Sequence, residues 1–330
     1  MAEKLVVGVD LGGTSTKLAI IKVSGEIVVK WTIPTDVSAD GENITGDIAA
    51  SINEKLAQLG ISKTDCLGIG MGAPGPVDTK RGIVEGAVNL GWQGEYPLQQ
   101  LLEEATSLRV FIDNDANCAA LGEMWKGAGS GARELVCITL GTGVGGGVIT
   151  NGEIIHGING AGGEIGHITA VPFGGDPCNC GKFGCIETIA SATGIVRIAT
   201  EKLHREQSDE GWLKGVFLQN GKISAKNVFD AARAGDLLAK EVVGEVALYL
   251  GLTISHIVNT LNPEKIVIGG GVSKGGDVLL KPVNESFRKF AFDRALKSTT
   301  LTLATLGNDA GVIGAAWLVV NHGDGSCDSF

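Results

Sequence analysis

The stretch LVVGVDLGGTSTKLAII, residues 5–21, decides how the rest of the chain is read. A β-branched run meets a glycine turn and leaves it as a second apolar run. No helix fits between them, so the pattern is a hairpin, not the strand-to-helix turn of a dinucleotide fold. The same pattern returns as LVCITLGTGVGGGVIT at residues 135–150. Each copy is followed by a Gly-Glu-Ile turn, Gly25-Glu26-Ile27 and then Gly152-Glu153-Ile154. An internal repeat at this spacing predicts two similarly built lobes.

Outward from the first hairpin, residues 26–33 read as a third strand, giving a β-meander. A helix is predicted near 41–59, with Ile44, Ile48, Ile52, Leu56 and Leu59 on one face. CLGIGMGAPG (66–75) is a buried strand ending in a Gly/Pro loop, PLQQLLEEAT (97–106) a helix and RVFIDND (109–115) a strand. ANCAALGEMWKG (116–127) is a helix entered from that strand's carboxyl end. After the second hairpin, 205–222 is weakly patterned and reads as a surface excursion. Helices follow near 224–234, 237–261 and 277–291. Strands are predicted in KIVIGGGVS (265–273) and TTLTLATLG (299–307), a closing helix in NDAGVIGAAWLVV (308–320), and a frayed tail from His322.

The chain is long enough for two domains, and its hydrophobic content of 44% excludes disorder. The 51 glycines follow no three-residue period and lie beside β-branched runs, where they are expected to mark tight turns and close approach to a ligand. A net charge of −10 without a basic stripe argues against nucleic acid or anionic membrane as partner. No apolar run is long enough to span a bilayer, and the start lacks a signal peptide. Seven cysteines, an odd number, fit a reducing compartment in which clustered thiols mean metal rather than disulfides. Cys66, Cys118 and Cys137 lie in apolar segments and read as buried small hydrophobes, and Cys327 belongs to the tail.

Three glycine turns offer backbone N–H groups to phosphate. The first, DLGGTSTK, contributes Gly12, Gly13, Thr14, Ser15 and Lys17, with Asp10 at the strand end suited to a hydrated Mg²⁺. One such hairpin is equally consistent with a plain turn. A second at Gly141, Thr142 and Gly143, facing it from the other lobe, favours a two-sided phosphate clamp. The third, with Gly270 and Gly271, would let an adenine or ribose lie against bare backbone. In FIDNDAN, Asn114 and Asp115 stand at the carboxyl edge of a sheet, where Asp115 could accept a proton from an attacking hydroxyl and Asn114 orient the same substrate. Alternatively, either Asp113 or Asp115 only caps the helix. Glu164 and His167 are three apart and would share a face of a helical turn. His167 with Cys178, Cys180 and Cys185 makes a Cys₃His set, a structural zinc composition, around a bend at Gly181 and Gly184. One imidazole nitrogen would bind the ion while the other meets a sugar hydroxyl, and Glu187 would be held by the same knuckle.

Together, DLGGTSTK, MGAPGPVD, NDANCAALGE, LGTGVGGGVI, GAGGEIGH, CNCGKFGCIE and LGNDAGVIGAA resemble the ROK family of sugar kinases and repressors over nearly the whole chain. VNLGW, GEMWKGAG and IETIASATGI resemble its glucokinase branch from Gram-positive, Bacillus-type bacteria. The resemblance implies an α/β, actin/hexokinase-like ATPase fold with a duplicated ribonuclease H-like motif, two lobes and a cleft. The smaller lobe would comprise 1–115 plus 308–330, and the larger 116–307. It implies a cytoplasmic homodimer that uses ATP with Mg²⁺, carries structural Zn²⁺ and phosphorylates D-glucose on its 6-hydroxyl, the first step of glycolysis. Asp115 matches the catalytic base. Gly75, Asn114, Asp115, Glu164, His167 and Glu187 match the hexose contacts, and His167, Cys178, Cys180 and Cys185 the zinc ligands. The alternatives within the family are a kinase for mannose, N-acetylmannosamine or fructose, and a non-catalytic sugar sensor. A repressor would need a helix-turn-helix before the first hairpin, where only about nine residues precede Asp10.

Overall fold

The computed structural model describes residues 3–205 and 211–323. Strands β1 (Leu5–Leu11) and β2 (Ser15–Lys22) pair antiparallel, with Val9 opposite Leu18 and Asp10 opposite Lys17, and β3 (Ile27–Pro34) continues the meander. Helix α1 (Ile44–Gln58) crosses over and buries Ile44, Ile48, Ile52 and Leu56. Leu59, expected on that face, is 46% exposed. The helix stops one residue earlier, and Gly60 (φ +64) turns the chain away.

Strand β4 (Cys66–Ala73) then runs parallel to β1. A small antiparallel sheet follows, β5 (Val77–Asp78), β6 (Ile83–Glu85) and β7 (Glu95–Tyr96). The sequence reading missed it because two- and three-residue strands carry no periodicity. Helix α2 (Leu98–Thr106) leads to β8 (Val110–Asn114), parallel to β4, and the first large sheet has the order β3-β2-β1-β4-β8. Helix α3 (Asp115–Lys126) leaves from β8.

The second sheet repeats the plan. Strands β9 (Leu135–Leu140), β10 (Val144–Thr150) and β11 (Glu153–Ile154) form an antiparallel meander. Its last turn uses Asn151 (φ +52) and Gly152 (φ +87), the left-handed pair that a two-residue hairpin requires. An all-helical excursion comes next: α4 (Glu187–Ala190), α5 (Ala192–Arg205), α6 (Trp212–Asn220), α7 (Ala225–Ala234) and α8 (Leu237–Leu261). Strand β12 (Lys265–Gly269) runs parallel to β9. After α9 (Asp277–Phe290) and α10 (Asp293–Leu296), β13 (Thr300–Leu303) is parallel to β12. The order β11-β10-β9-β12-β13 matches the first sheet strand for strand, including the sense of each pairing. This is the duplicated motif of the actin/hexokinase-like fold.

Part of the segment read as an unpatterned excursion is therefore the helix α6. Leu213 is its single buried residue, too little to make an apolar stripe, and 206–210 lie outside the described residues. The tail from 324, with Cys327, also lies outside them, and the final helix α11 (Ala310–Gly323) runs past His322.

Each sheet has its own core, one around Val7, Val9, Leu18, Ile48 and Met71, the other around Val136, Ile138, Leu250, Ile254 and Phe287. Helix α11 packs on β1, β4 and α3. Some glycines serve packing, a use beyond the turns and ligand approach expected of them. A Cβ at Gly8 would sit on the Val312 carbonyl, one at Gly70 on that of Ala315, and one at Gly314 on that of Cys118. These residues let a helix approach backbone to backbone. Among the described residues, no helix is long and apolar enough to cross a membrane.

Candidate active site

Strand alternation at the end of β8 sends neighbouring side chains in opposite directions. Asn114, in extended conformation, caps α3. Its Oδ1 accepts from the N–H groups of Ala116 (2.9 Å) and Asn117 (3.3 Å), while its Nδ2 donates to the Gly75 carbonyl at 3.0 Å. Neither Asp113 nor Asp115 is the N-cap, because an amide alone can serve the helix and the Gly75 loop together. Asp113 is 2% exposed, and its Oδ1 accepts from Asn114 N–H at 2.7 Å and from Asn117 Nδ2 at 2.8 Å. Asp115 opens α3. Burial, then the charges of Asp10 and Glu164, push its pKa up from 3.8 to about 6.

Two cavities meet at this residue. One, of about 450 Å³, is lined by Asp10, Lys17, Gly141, Gly143 and Gly270, with residues of the β13–α11 loop on its far side. The other, of about 270 Å³, is lined by Gly75, Asn114, Glu164 and His167. Asp115 and Glu187 line both. The remaining predicted nucleotide residues, Gly12, Gly13, Thr14, Ser15, Thr142 and Gly271, are not among those lining the larger cavity. From the first hairpin it is the strand residues that face it: Lys17 Nζ pairs with Asp10 Oδ2 at 2.9 Å.

Glu187, the first residue of α4, accepts from Val144 N–H at 3.0 Å through Oε2, and its Oε1 lies 3.6 Å from Cys178 Sγ. A Cβ on Gly143 would collide with that Oε2. Glu187 therefore ties the second glycine hairpin to the cysteine knuckle. The knuckle is folded by bridges Thr169 to Cys185 and Pro177 to Phe183, with Gly181 (φ +84) and Gly184 (φ +71) at its bends. His167 ends a single 3₁₀ turn begun after Glu164. Its Nδ1 lies 3.7 Å from Cys178 Sγ, and its Nε2 lies 3.8 Å from Glu164 Oε2.

One ligand atom from each of His167, Cys178, Cys180 and Cys185 lies within 4.8 Å of the others. A tetrahedral zinc with Zn–S near 2.3 Å and Zn–N near 2.0 Å has edges of about 3.5–3.8 Å. The Cys178–His167 and Cys180–Cys185 separations, both 3.7 Å, match that. The residues fit the ion by number, chemistry and spacing.

Glu123, on α3, is a site residue that the sequence does not mark. It is 1% exposed, and its carboxylate accepts from the N–H groups of Ala128, Thr305 and Leu306. It anchors the β13–α11 loop that walls the larger cavity. Nothing in the local sequence distinguishes it from an exposed helical glutamate, because its partners Thr305 and Leu306 lie about 180 residues further along the chain.

Known proteins resemble this chain over nearly its whole length. A glucokinase from Halalkalibacterium halodurans is 54% identical, covering 97% of this chain and 96% of its own length. A glucokinase from Thermotoga maritima is 36% identical, with 97% and 98% covered. The crystal structure of a ROK family glucokinase from Streptomyces griseus in complex with glucose and AMPPNP superposes with a TM-score of 0.77 at 35% identity, covering 95% of this chain and 98% of that one. Residues 6–322 match the sequence profile of the ROK family, and the chain belongs to that family.

Proposed function

We propose that this chain is an ATP-dependent glucokinase that transfers the γ-phosphoryl group to the 6-hydroxyl of D-glucose, with Asp115 as general base. The observation that carries the reading is the shared wall: Asp115 lines both cavities, so a sugar held in the smaller presents a hydroxyl to this carboxylate and to phosphate in the larger. A base with a pKa near 6 is largely ionised at neutral pH yet basic enough to accept a proton as the P–O bond forms. Asn114, Glu164, His167, Glu187 and the Gly75 loop would orient the sugar. The N–H groups of the Gly141–Gly143 turn would offset phosphate charge.

The first hairpin, Gly12 to Ser15, and Gly271 would reach nucleotide only with the lobes closed, and closure would also exclude water as competing nucleophile. We take the lobes to divide at 115/116 and 307/308. Asp10 would hold hydrated Mg²⁺, which supplies charge neutralisation on the phosphates, and Lys17 would exchange Asp10 for phosphate. Bound zinc would supply orientation, since four protein ligands leave no open coordination position. With Nδ1 on the ion, Nε2 of His167 is fixed toward Glu164 and the sugar cavity. A cytoplasmic homodimer completes the reading, and light scattering on the purified protein tests its assembly.

Asp115→Asn should reduce kcat by about 10²–10⁴-fold while glucose affinity stays within about threefold. Coupled ADP detection gives the first and calorimetry the second; near-normal turnover in the variant removes Asp115 from its role. A panel of glucose, mannose, N-acetylmannosamine and fructose fixes the substrate.

A further inference from the structure

The reading above leaves unused a buried carboxylate beside the base and the imidazole paired with it. Asp113 Oδ2 accepts from His156 Nε2 at 2.8 Å, while Oδ1 accepts from the Asn114 backbone and from Asn117. Asp113 thus gathers the two residues that flank Asp115 on either side of the β8–α3 junction. His156 comes from the segment after β11, in the other half of the molecule. The ring is about one-third exposed and lines a cavity of about 560 Å³ on the face of β8 away from the sugar site.

We propose that His156 and Asp113 form a positioning pair that holds the Asn114–Asp115 turn in register for phosphoryl transfer. The inference rests on the reading of Asp115 as base. A carboxylate buried on three donors is rigid only when each donor is present. Asn114 and Asn117 come from the turn itself, so among the described residues His156 is the one donor to this carboxylate from outside the turn. Without it the buried charge loses its third donor, and the turn is held from outside only by the Asn114–Gly75 bond and the pairing of β8 with β4. A misplacement of about 1 Å at a reacting carboxylate costs on the order of 10²-fold in rate.

Charge supports the geometry. Hydrogen bonding to Asp113, and the charges of Asp113 and Glu153, raise the pKa of His156 above its ordinary value against the effect of burial. The charged and titratable groups around the pair are Asp113 on β8, Glu153 on β11, Lys80 in the β5–β6 turn and His322 on α11, with the Cys118 thiol on α3 near Asp113. Asp115 on the other face meets Asp10 and Glu164. In this proposal, removing the His156 donor leaves the Asp113 carboxylate less compensated two residues from Asp115, which would disfavour ionisation of the base.

The test compares His156→Ala, His156→Gln and Asp113→Asn in the full chain, with Asp115→Asn as control. His156→Ala should lower kcat about tenfold or more per folded molecule, with KM for ATP within about twofold, and should move the acid limb of kcat/KM for glucose to higher pH. His156→Gln keeps a donor for the carboxylate and should recover most of kcat but not the limb. Asp113→Asn keeps an acceptor for Asn114 and Asn117, removes the charge and should move the limb to lower pH. Should His156→Ala fail to fold, the other two variants still decide the matter by the opposite directions of their limbs. Unchanged kcat in every folded variant, or limbs that do not move, overturns the positioning role. If Asp115→Asn remains active, it is the base assignment that falls instead.

Discussion

The two glycine hairpins sit at equivalent places in two sheets of identical strand order, yet they are furnished differently. The first carries charge across its strands, Asp10 opposite Lys17 at 2.9 Å. The second is uncharged around its turn, Leu140 to Gly147, and borrows a carboxylate when Glu187 accepts from Val144. The excursions differ as well. Between β3 and β4 the first half inserts one helix, whereas between β11 and β12 the second inserts the knuckle and five helices. A duplicated scaffold thus divides its work: one half brings the Asp10–Lys17 pair to the larger cavity, the other bare backbone there and Glu164, His167 and Glu187 to the smaller one.

The most severe way to break that division is to dismantle the anchor. Cys178→Ser should abolish stoichiometric zinc, read by elemental analysis, and lower kcat/KM for glucose by about 100-fold, because His167 and Glu187 both lose their support. ATP affinity should stay within about twofold, and an equal loss for both substrates would mean that the knuckle serves the whole fold. Next in size is the pH profile. If Asp115 acts as the proposed base it must be ionised, and turnover should fall about tenfold per pH unit below its pKa of about 6. Asp10→Asn removes one of the charges raising that pKa and should shift the limb downward, whatever it does to metal binding.

A smaller effect sharpens the contrast within the second hairpin itself. Gly143→Ala drives a methyl into Glu187 Oε2, whereas a Cβ at Gly141 meets nothing within 4 Å. The first should raise KM for glucose about tenfold and the second leave it within about twofold. Steady-state kinetics on the pair checks whether Glu187 truly couples hairpin to sugar. The smallest effect is on stability. The folded-state pKa of Asp115 lies above its ordinary value of 3.8, so the buried charge opposes folding above about pH 6 and ceases to do so once both states are protonated. Asp115→Asn should therefore raise Tm by a few degrees at pH 7, with the gain vanishing below pH 3.8.

Much of this was legible in the sequence because it is local. The hairpins, the repeat and helix α8, expected at 237–261, are set by short-range periodicity. Cys178, Cys180, Cys185 and His167 were identifiable as a set because nineteen consecutive residues hold all four. What escaped is set by partners distant in the chain. Asn114 rather than an aspartate caps α3 because Gly75, far upstream, needs its amide. Glu123 looks like any helical glutamate until the β13–α11 loop is placed against it. His156 carries no motif, and only the fold brings it to Asp113. The glycines misled for the same reason: Gly8 and Gly70 read as ordinary strand residues until α11 is laid across them.

That helix carries one more implication. The last described segment, Ala310–Gly323, supplies the cover for strands made well before it, Leu5–Leu11 and Cys66–Ala73. During synthesis the leading sheet must wait, one flank wet, until Ala310–Gly323 has been made, whereas most of the other core is complete by about the time β13 emerges. Order of birth and order of completion are inverted in this protein, so ribosome-bound chains halted before residue 310 should recruit chaperones through the uncovered face of Val6, Ala19 and Ile21.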